Sequence, residues 1–189
     1  RIDYGLKAAL LETNLGASQL FIGQSYQLWG SSAFDSGSGL DTNISDYVGR
    51  VQLAPADWLD LLFRFRLDKD SFKPRRSELG LRITQPNYSL LVDYVLLNEQ
   101  LSTTNFGNRE QLDFTLSWRL NDYWSTSTRL VQDLSNDSNR TRIASLGFTY
   151  SDECFTFGLE YDRRDLRDAD IEPEDRITLR INFKHLGSV

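Results

Sequence analysis

Cysteine, histidine, excess positive charge and long apolar runs are all scarce or missing, and each scarcity excludes a class of protein. With one cysteine in 189 residues, the chain has neither an internal disulfide framework nor a zinc site built on several thiolates. No run of about 18 apolar residues occurs, which excludes a transmembrane helix. The net charge of -6 argues against nucleic-acid binding, because phosphate groups require a basic surface.

Catalytic and metal-binding patterns are equally scarce. The single histidine, His185, lies beside Lys184 near the end of the chain, where a strand-end residue is a better interpretation than a general base. No phosphate-binding loop and no metal-ligand spacing accompanies it. We therefore expect no enzyme, no metal and no cofactor. The lone Cys154 leaves two alternatives open, a buried thiol or a bridge to another thiol.

Alternation of apolar and polar residues runs through the whole sequence. In QLDFTLSWRL the apolar side chains from Leu112 to Leu120 occupy every second position, which is the period of a β-strand. Each such run is about 9–13 residues long, which exceeds the usual soluble strand and suits a tilted membrane crossing. The pattern predicts eleven strands, at residues 2–13, 17–29, 45–54, 58–68, 76–84, 88–97, 110–120, 123–132, 141–150, 154–162 and 175–186.

The connections between these strands alternate between short and long. Tight turns such as NLG, PAD and SDE alternate with long loops such as SSAFDSGSGLDTNI, and we expect all four prolines in these connections. This rhythm is typical of an all-β, antiparallel up-and-down barrel in an outer membrane, where periplasmic turns are short and extracellular loops long. A soluble sandwich or lipocalin-like barrel is the competing interpretation.

The polar faces of the strands favour the membrane barrel, because a water-filled lumen accepts charges that a soluble core would exclude. The candidate basic residues facing the lumen are Arg64, Arg66, Arg82, Arg119 and Arg180. The favoured interpretation is that they form ion pairs with Glu78, Asp113 and Glu160 across the wall. The alternative is that they contact phosphate groups of a substrate.

An odd number of strands cannot close with antiparallel pairing throughout. Either one strand is miscounted, or the chain is part of a larger barrel. The sequence opens inside a strand pattern, RIDYGLKAALLE, which favours the second explanation.

Two segments resemble the LptD family of outer-membrane lipopolysaccharide assembly proteins, particularly its alphaproteobacterial members. They are ISDYVGRVQLAPADWLDLLFRFRLDKDSFKPRRSELGL and SDECFTFGLEYDRRDLRDADIEPEDRITLRINFKHLG, and the resemblance runs from GQSYQLWG onward. It implies that residues 1–189 are the C-terminal portion of a large barrel. The N-terminal periplasmic domain and the first barrel strands would then lie outside the sequence.

The resemblance also implies a mechanism and partners. Lipopolysaccharide would arrive over a periplasmic Lpt bridge, its sugars would pass through a lumen plugged by an LptE-like lipoprotein, and its lipid would leave between the first and last strands. Barrel-assembly machinery and outer-membrane lipid are further expected partners. The terminal strand would form one side of the gate, through Arg176, Ile177, Leu179, Ile181, Phe183 and Leu186.

Cys154 matches the C-terminal barrel cysteine of this family, which in relatives pairs with a cysteine of the N-terminal domain. Some relatives carry two adjacent cysteines, whereas here the neighbour is Phe155. Two alternatives to lipopolysaccharide transport remain, a passive porin and, less favoured, an outer-membrane barrel enzyme.

Overall fold

Eleven antiparallel strands form a single sheet in the computed structural model. The structure describes residues 1–13, 16–30, 34, 38–98, 109–135, 140–165 and 173–184. Each strand pairs with its neighbours in sequence order, so the sheet is an up-and-down meander. The strands are β1 (Ile2–Thr13), β2 (Gly16–Tyr26), β3 (Tyr47–Ala56), β4 (Leu59–Leu67), β5 (Pro74–Thr84), β6 (Tyr88–Leu97), β7 (Arg109–Arg119), β8 (Trp124–Asp133), β9 (Arg140–Ser151), β10 (Phe155–Arg164) and β11 (Glu174–Phe183).

The eleven predicted strands and their antiparallel order are confirmed, with small shifts at their ends. The predicted placement of the prolines is partly wrong. Pro55 lies inside β3, where the pairing register with β4 shifts between Leu53 and Ala56, and Pro74 is the first residue of β5. Proline lacks an N–H, so a register shift or a strand start tolerates it because no ladder hydrogen bond is lost there.

The connections alternate in length as predicted. The tight turns span residues 14–15, 57–58, 85–87, 120–123 and 152–154, and the longer connections span 27–46, 68–73, 98–108, 134–139 and 165–173. All tight turns therefore lie at one end of the sheet, which we call the tight-turn end. The opposite end is the long-loop end.

Strand register sorts the side chains onto two faces of opposite character. Arg64 lies opposite Arg50 and Glu78, whereas Leu81 lies opposite Leu61 and Val92. We call the first surface the polar face; following the register across the sheet, it carries Lys7, Arg50, Asp60, Arg82, Asp113, Arg129, Glu160 and Arg180. The second is the apolar face, with Leu6, Ile22, Val51, Phe63, Leu81, Val92, Phe114, Leu130, Leu146, Leu159 and Leu179.

A packed core is missing from the described part of the chain. Within it, Val131 is the single apolar side chain that is buried, while Leu79 and Leu146 on the apolar face remain 47% and 41% exposed. A soluble sandwich covers its apolar face with a second layer. The bare apolar face is therefore inconsistent with the soluble alternative and suits contact with lipid. The described residues include no helix long and apolar enough to cross a membrane.

Aromatic side chains concentrate at the tight-turn end. Tyr88 and Trp118 are direct cross-strand partners, and so are Trp124 and Tyr150, whose ring centroids are 5.1 Å apart. The Tyr150 ring also packs 5.5 Å from Phe155. Because amphipathic rings favour the boundary between lipid and water, this band indicates where the sheet meets one membrane interface.

Two strands have a neighbour on one side only. β1 pairs with β2 and β11 pairs with β10, and the described residues provide no pairing between β1 and β11. In a meander the odd-numbered strands all run in the same direction. β1 and β11 are consequently parallel to each other and would not close as an antiparallel pair.

Candidate functional site

The five arginines predicted to line a lumen all lie on the polar face. Arg64 and Arg66 are alternate residues of β4, Arg82 lies in β5, Arg119 ends β7 and Arg180 lies in β11. The register carries this face continuously from β4 to β11, so the five cations share one surface. The structure thus brings them to one side of the wall, as the alternation predicts.

Two of these arginines form ion pairs. The Nε of Arg64 lies 3.3 Å from Oε2 of Glu78, which is one of the pairs that the favoured interpretation expects. The Nε of Arg66 lies 3.6 Å from Oδ2 of Asp46, and its Nη1 donates a 2.6 Å hydrogen bond to the carbonyl of Ser38. These two guanidinium groups support the wall and the adjoining loop.

The other three arginines behave differently. The side chains of Arg82, Arg119 and Arg180 have no hydrogen-bonding or ion-pairing partner within the part of the chain that the structure describes. The carboxylate of Asp113 pairs instead with Arg129, at 2.8 Å from its Nη2. These three guanidinium groups are therefore available to a ligand.

A buried ionic cluster closes the long-loop end of β3 to β5. The side chain of Asp46 is 3% exposed, and its Oδ2 lies 3.3 Å from Nη1 of Arg75. Arg75 also donates to the carboxylate of Asp68. The backbone N–H of Asp46 donates to the carbonyl of Gly39 at 2.8 Å, so this cluster fixes the loop at residues 38–46 against the sheet.

Gly39 is required for this arrangement. Its φ of +77° is a left-handed conformation, and a Cβ there would lie 2.5 Å from Oδ2 of Asp46. A side chain would push the loop off the carboxylate.

The pKa values of the two carboxylates of this cluster, Asp46 and Asp68, are shifted in opposite directions. Burial raises the pKa of Asp46 above its ordinary value, and the charges of Arg75 and Arg66 oppose that shift. Hydrogen bonds from the hydroxyl and N–H of Ser71, each 2.7 Å long, hold the pKa of Asp68 well below its usual range. The sequence carries no distinctive signal for this cluster, because Asp46, Asp68 and Arg75 lie at predicted strand ends where charges are common.

The terminal strand presents a bare edge and a bare apolar side. Ile177 is 74% exposed and Phe183 is 63% exposed, and Leu179 and Ile181 lie between them on the same face. Arg176 lies on the polar face instead, 3.3 Å from Asp162 of the neighbouring strand. Leu186 and His185 lie outside the described residues.

Cys154 lies in the tight turn between β9 and β10 and is exposed. Its N–H donates a 2.7 Å hydrogen bond to Oδ1 of Asp152, which also accepts the N–H of Phe155 at 2.8 Å. These two donors lower the pKa of Asp152. Exposure contradicts the buried-thiol alternative, and the turn holds the thiol where another polypeptide can reach it.

A one-layer meander with an exposed apolar face, an aromatic band and a charged opposite face defines the class of outer-membrane β-barrel proteins. Residues 1–124 match the family LptD, LPS transport system D. This match covers more than half of the 189 residues, and the chain belongs to the LptD family.

The matched range extends from β1 through β7 and ends at the first residue of β8. It includes the first of the two segments that resemble the family and stops before the segment around Cys154. No curated protein matches the chain. Membership assigns lipopolysaccharide transport and assembly at the outer membrane, with lipopolysaccharide and the Lpt system as partners, and the family is not one of enzymes.

Proposed function

We propose that residues 1–189 form the C-terminal portion of the barrel of an LptD–LptE translocon in a Gram-negative outer membrane. A periplasmic domain and the first barrel strands would belong to the remainder of the protein. The parallel directions of β1 and β11 support this assignment, because closure requires further strands between them. The translocon would deliver lipopolysaccharide to the outer leaflet of the outer membrane.

The two faces of the sheet support a division of labour during transport. The polar face would carry the saccharide part through the lumen, with Arg82, Arg119 and Arg180 available to phosphate groups and Arg64 and Arg66 held by carboxylates of the wall. The apolar side of β11, from Ile177 to Phe183, would contact the lipid chains at the gate. Opening such a gate costs little where a strand edge has few ladder hydrogen bonds.

Two partners beyond the substrate fit the same surfaces. A plug lipoprotein of the LptE type would fill part of the lumen and contact the polar face, since a wide charged lumen otherwise stays open to water. Barrel-assembly machinery would bind the unpaired edge of β11 during folding, because an unpaired strand edge templates another strand.

Segregation of charge and apolar surface onto opposite faces is the observation that carries this proposal. In the full-length protein in cells, a photoreactive residue at Thr115 of the polar face would crosslink to lipopolysaccharide during transport. The same photoreactive amino acid, placed instead of Leu146 on the apolar face, would crosslink to bulk membrane lipid. Equal crosslinking to lipopolysaccharide from both positions would contradict a lumenal route.

Cys154 offers a separate test of the link to a periplasmic domain. We propose that its exposed thiol forms a disulfide with that domain, as in relatives. Non-reducing electrophoresis of the full-length protein would then show a mobility that changes on reduction and in Cys154→Ser. An unchanged mobility would exclude the bridge, and it would leave the transport proposal standing.

A further inference from the structure

A polar groove crosses the polar face near the tight-turn end. Two adjoining cavities, with volumes of about 420 and 230 Å³, share Ser127 and Thr149 in their linings. Arg119 lines the first cavity, while Arg180 and Glu160 line the second. We call this surface the Arg119–Arg180 groove.

The register explains why the groove is open in its middle. One row of cross-strand partners runs from Arg119 through Ser125, Thr149 and Gly158 to Arg180. The three residues between the arginines are small, so two long cationic side chains flank a low floor. Serine and threonine hydroxyls on this floor donate and accept hydrogen bonds.

The backbone at position 158 does not require a glycine. A Cβ there would meet only the Cβ of Arg180, at 3.9 Å, which is an ordinary contact, and its φ is not in the left-handed region. Glycine inside a strand weakens it relative to alanine and often marks close approach of a ligand. The missing side chain keeps the groove floor clear.

Neither arginine is neutralised. The side chains of Arg119 and Arg180 lack a hydrogen-bonding or ion-pairing partner among the described residues, and so does the side chain of Glu160. A ligand with anionic groups would satisfy both cations, whereas the carboxylate of Glu160 would repel a bare anion and accept hydrogen bonds from hydroxyl groups. The groove therefore combines features that suit a phosphorylated saccharide.

We propose that the Arg119–Arg180 groove is a binding site for phosphorylated saccharide on the lumen wall. Anionic groups would bind the two guanidinium groups, and sugar hydroxyls would lie over Ser125, Thr149 and Gly158 beside Glu160. This inference rests on the proposed function, because lumenal passage is what brings a saccharide to this surface. The site lies near the tight-turn end, where a substrate arriving from the periplasm would enter.

The test is a binding titration on the purified full-length protein with its plug. The probes are the phosphorylated oligosaccharide released from lipopolysaccharide by deacylation, the same oligosaccharide after phosphatase treatment, and inorganic phosphate. We expect the first to bind most tightly. Replacing both arginines, Arg119→Gln with Arg180→Gln, should raise its Kd at least about tenfold, because charge-assisted hydrogen bonds are lost.

Matched controls separate the groove from general charge and from misfolding. Arg50→Gln removes a polar-face arginine outside the groove and should leave the Kd unchanged. Gly158→Val fills the floor and should weaken binding with the fold intact, whereas Ser145→Val, on the same face outside the groove, should not. Glu160→Gln should strengthen binding of inorganic phosphate.

Either of two results would overturn the inference. One is an unchanged Kd in the double arginine variant, and the other is inorganic phosphate binding as tightly as the phosphorylated oligosaccharide. Crosslinking of lipopolysaccharide at Thr115 in cells would persist in both cases if the proposed function is correct. Loss of that crosslink would instead contradict lumenal transport itself.

Discussion

At the scale of single residues, Asp46 and Asp68 show how surroundings give one chemical group two roles. Both carboxylates contact Arg75, yet Asp46 is buried with few donors while Asp68 accepts several hydrogen bonds from its own loop. Burial makes the charge of Asp46 costly, whereas the donors make the charge of Asp68 favourable. Asp68 is therefore the stabilising member of the cluster.

Replacing Asp68 tests this assignment. Asp68→Ala should lower the free energy of unfolding by about 2–4 kcal/mol, because it leaves Nη2 of Arg75 and the Ser71 N–H without their acceptor. This loss of stability would be measured by heating the full-length protein and following, by electrophoresis, the disappearance of the band of the folded form. Asp70→Ala, at an exposed neighbouring carboxylate, should change stability by less than about 0.5 kcal/mol. Equal effects would show that Asp68 does not hold the loop.

The stabilisation from Asp68 should depend on pH in a defined direction. Its pKa in the folded protein is depressed, so the contribution is complete above the unfolded value of about 3.9 and is lost as the pH falls through the lower folded value. The stability difference between the wild type and Asp68→Asn should be constant above about pH 5 and shrink below about pH 4. A difference that grows on acidification would contradict this sign.

Gly49 makes a residue-scale prediction on the apolar face. It lies directly opposite Phe65, and a Cβ at Gly49 would come within 2.1 Å of that ring. Gly49→Ala should therefore destabilise the protein by about 1–3 kcal/mol through displacement of the ring. Gly158→Ala, where a Cβ makes only an ordinary contact with the Cβ of Arg180 at 3.9 Å, is the matched control for the same thermal measurement. Comparable losses at both glycines would rule out the ring contact as the cause.

At the scale of elements, each strand faces lipid with its apolar side and water with its polar side. Leu146 and Ser145 are neighbours in the middle of β9, and their side chains point to the apolar and polar faces respectively. The sequence alternation alone predicted this arrangement for every strand. Two tight turns are stabilised by a side-chain oxygen that accepts two backbone N–H groups. Asn121 accepts those of Tyr123 and Trp124. Asp152 accepts those of Cys154 and Phe155.

Adjacent substitutions in β9 measure the asymmetry of its faces. Leu146→Arg should destabilise the folded protein by about 2–4 kcal/mol, because it places a cation in lipid near the membrane centre. Ser145→Arg should cost little, because its side chain enters the polar face beside Asp162. Unfolding of the full-length protein in lipid vesicles would give both values. Similar losses for the two variants would contradict lipid contact at Leu146.

At the scale of the whole molecule, the meander is a wall with two open edges. The edge strands β1 and β11 run parallel, so residues 1–189 alone should not form a closed antiparallel pore. In planar bilayers, this span refolded by itself should give no discrete single-channel conductance. A uniform stable conductance would favour the passive porin and contradict the larger barrel.

Much of this wall could be predicted from the sequence. Strand number, turn order and the common face of Arg64, Arg82 and Arg180 follow from local periodicity, because a period of two assigns each side chain to a face. The Asp46–Arg75 contact was not predicted, since it joins a loop to another hairpin and depends on loop conformation. Pro55 was misplaced because a register shift inside β3 has no clear local signal.

The sequence by itself determined an all-β chain with one face for lipid and one for water, because apolar and polar residues alternate along each strand and neighbouring side chains point to opposite faces. Only the tertiary structure decided which cations are neutralised and which stay available. Arg64 and Arg66 find carboxylates, whereas Arg119 and Arg180 flank a groove floored by small residues. That difference depends on which residues face each other across strands, and pairing register brings together residues far apart in the chain.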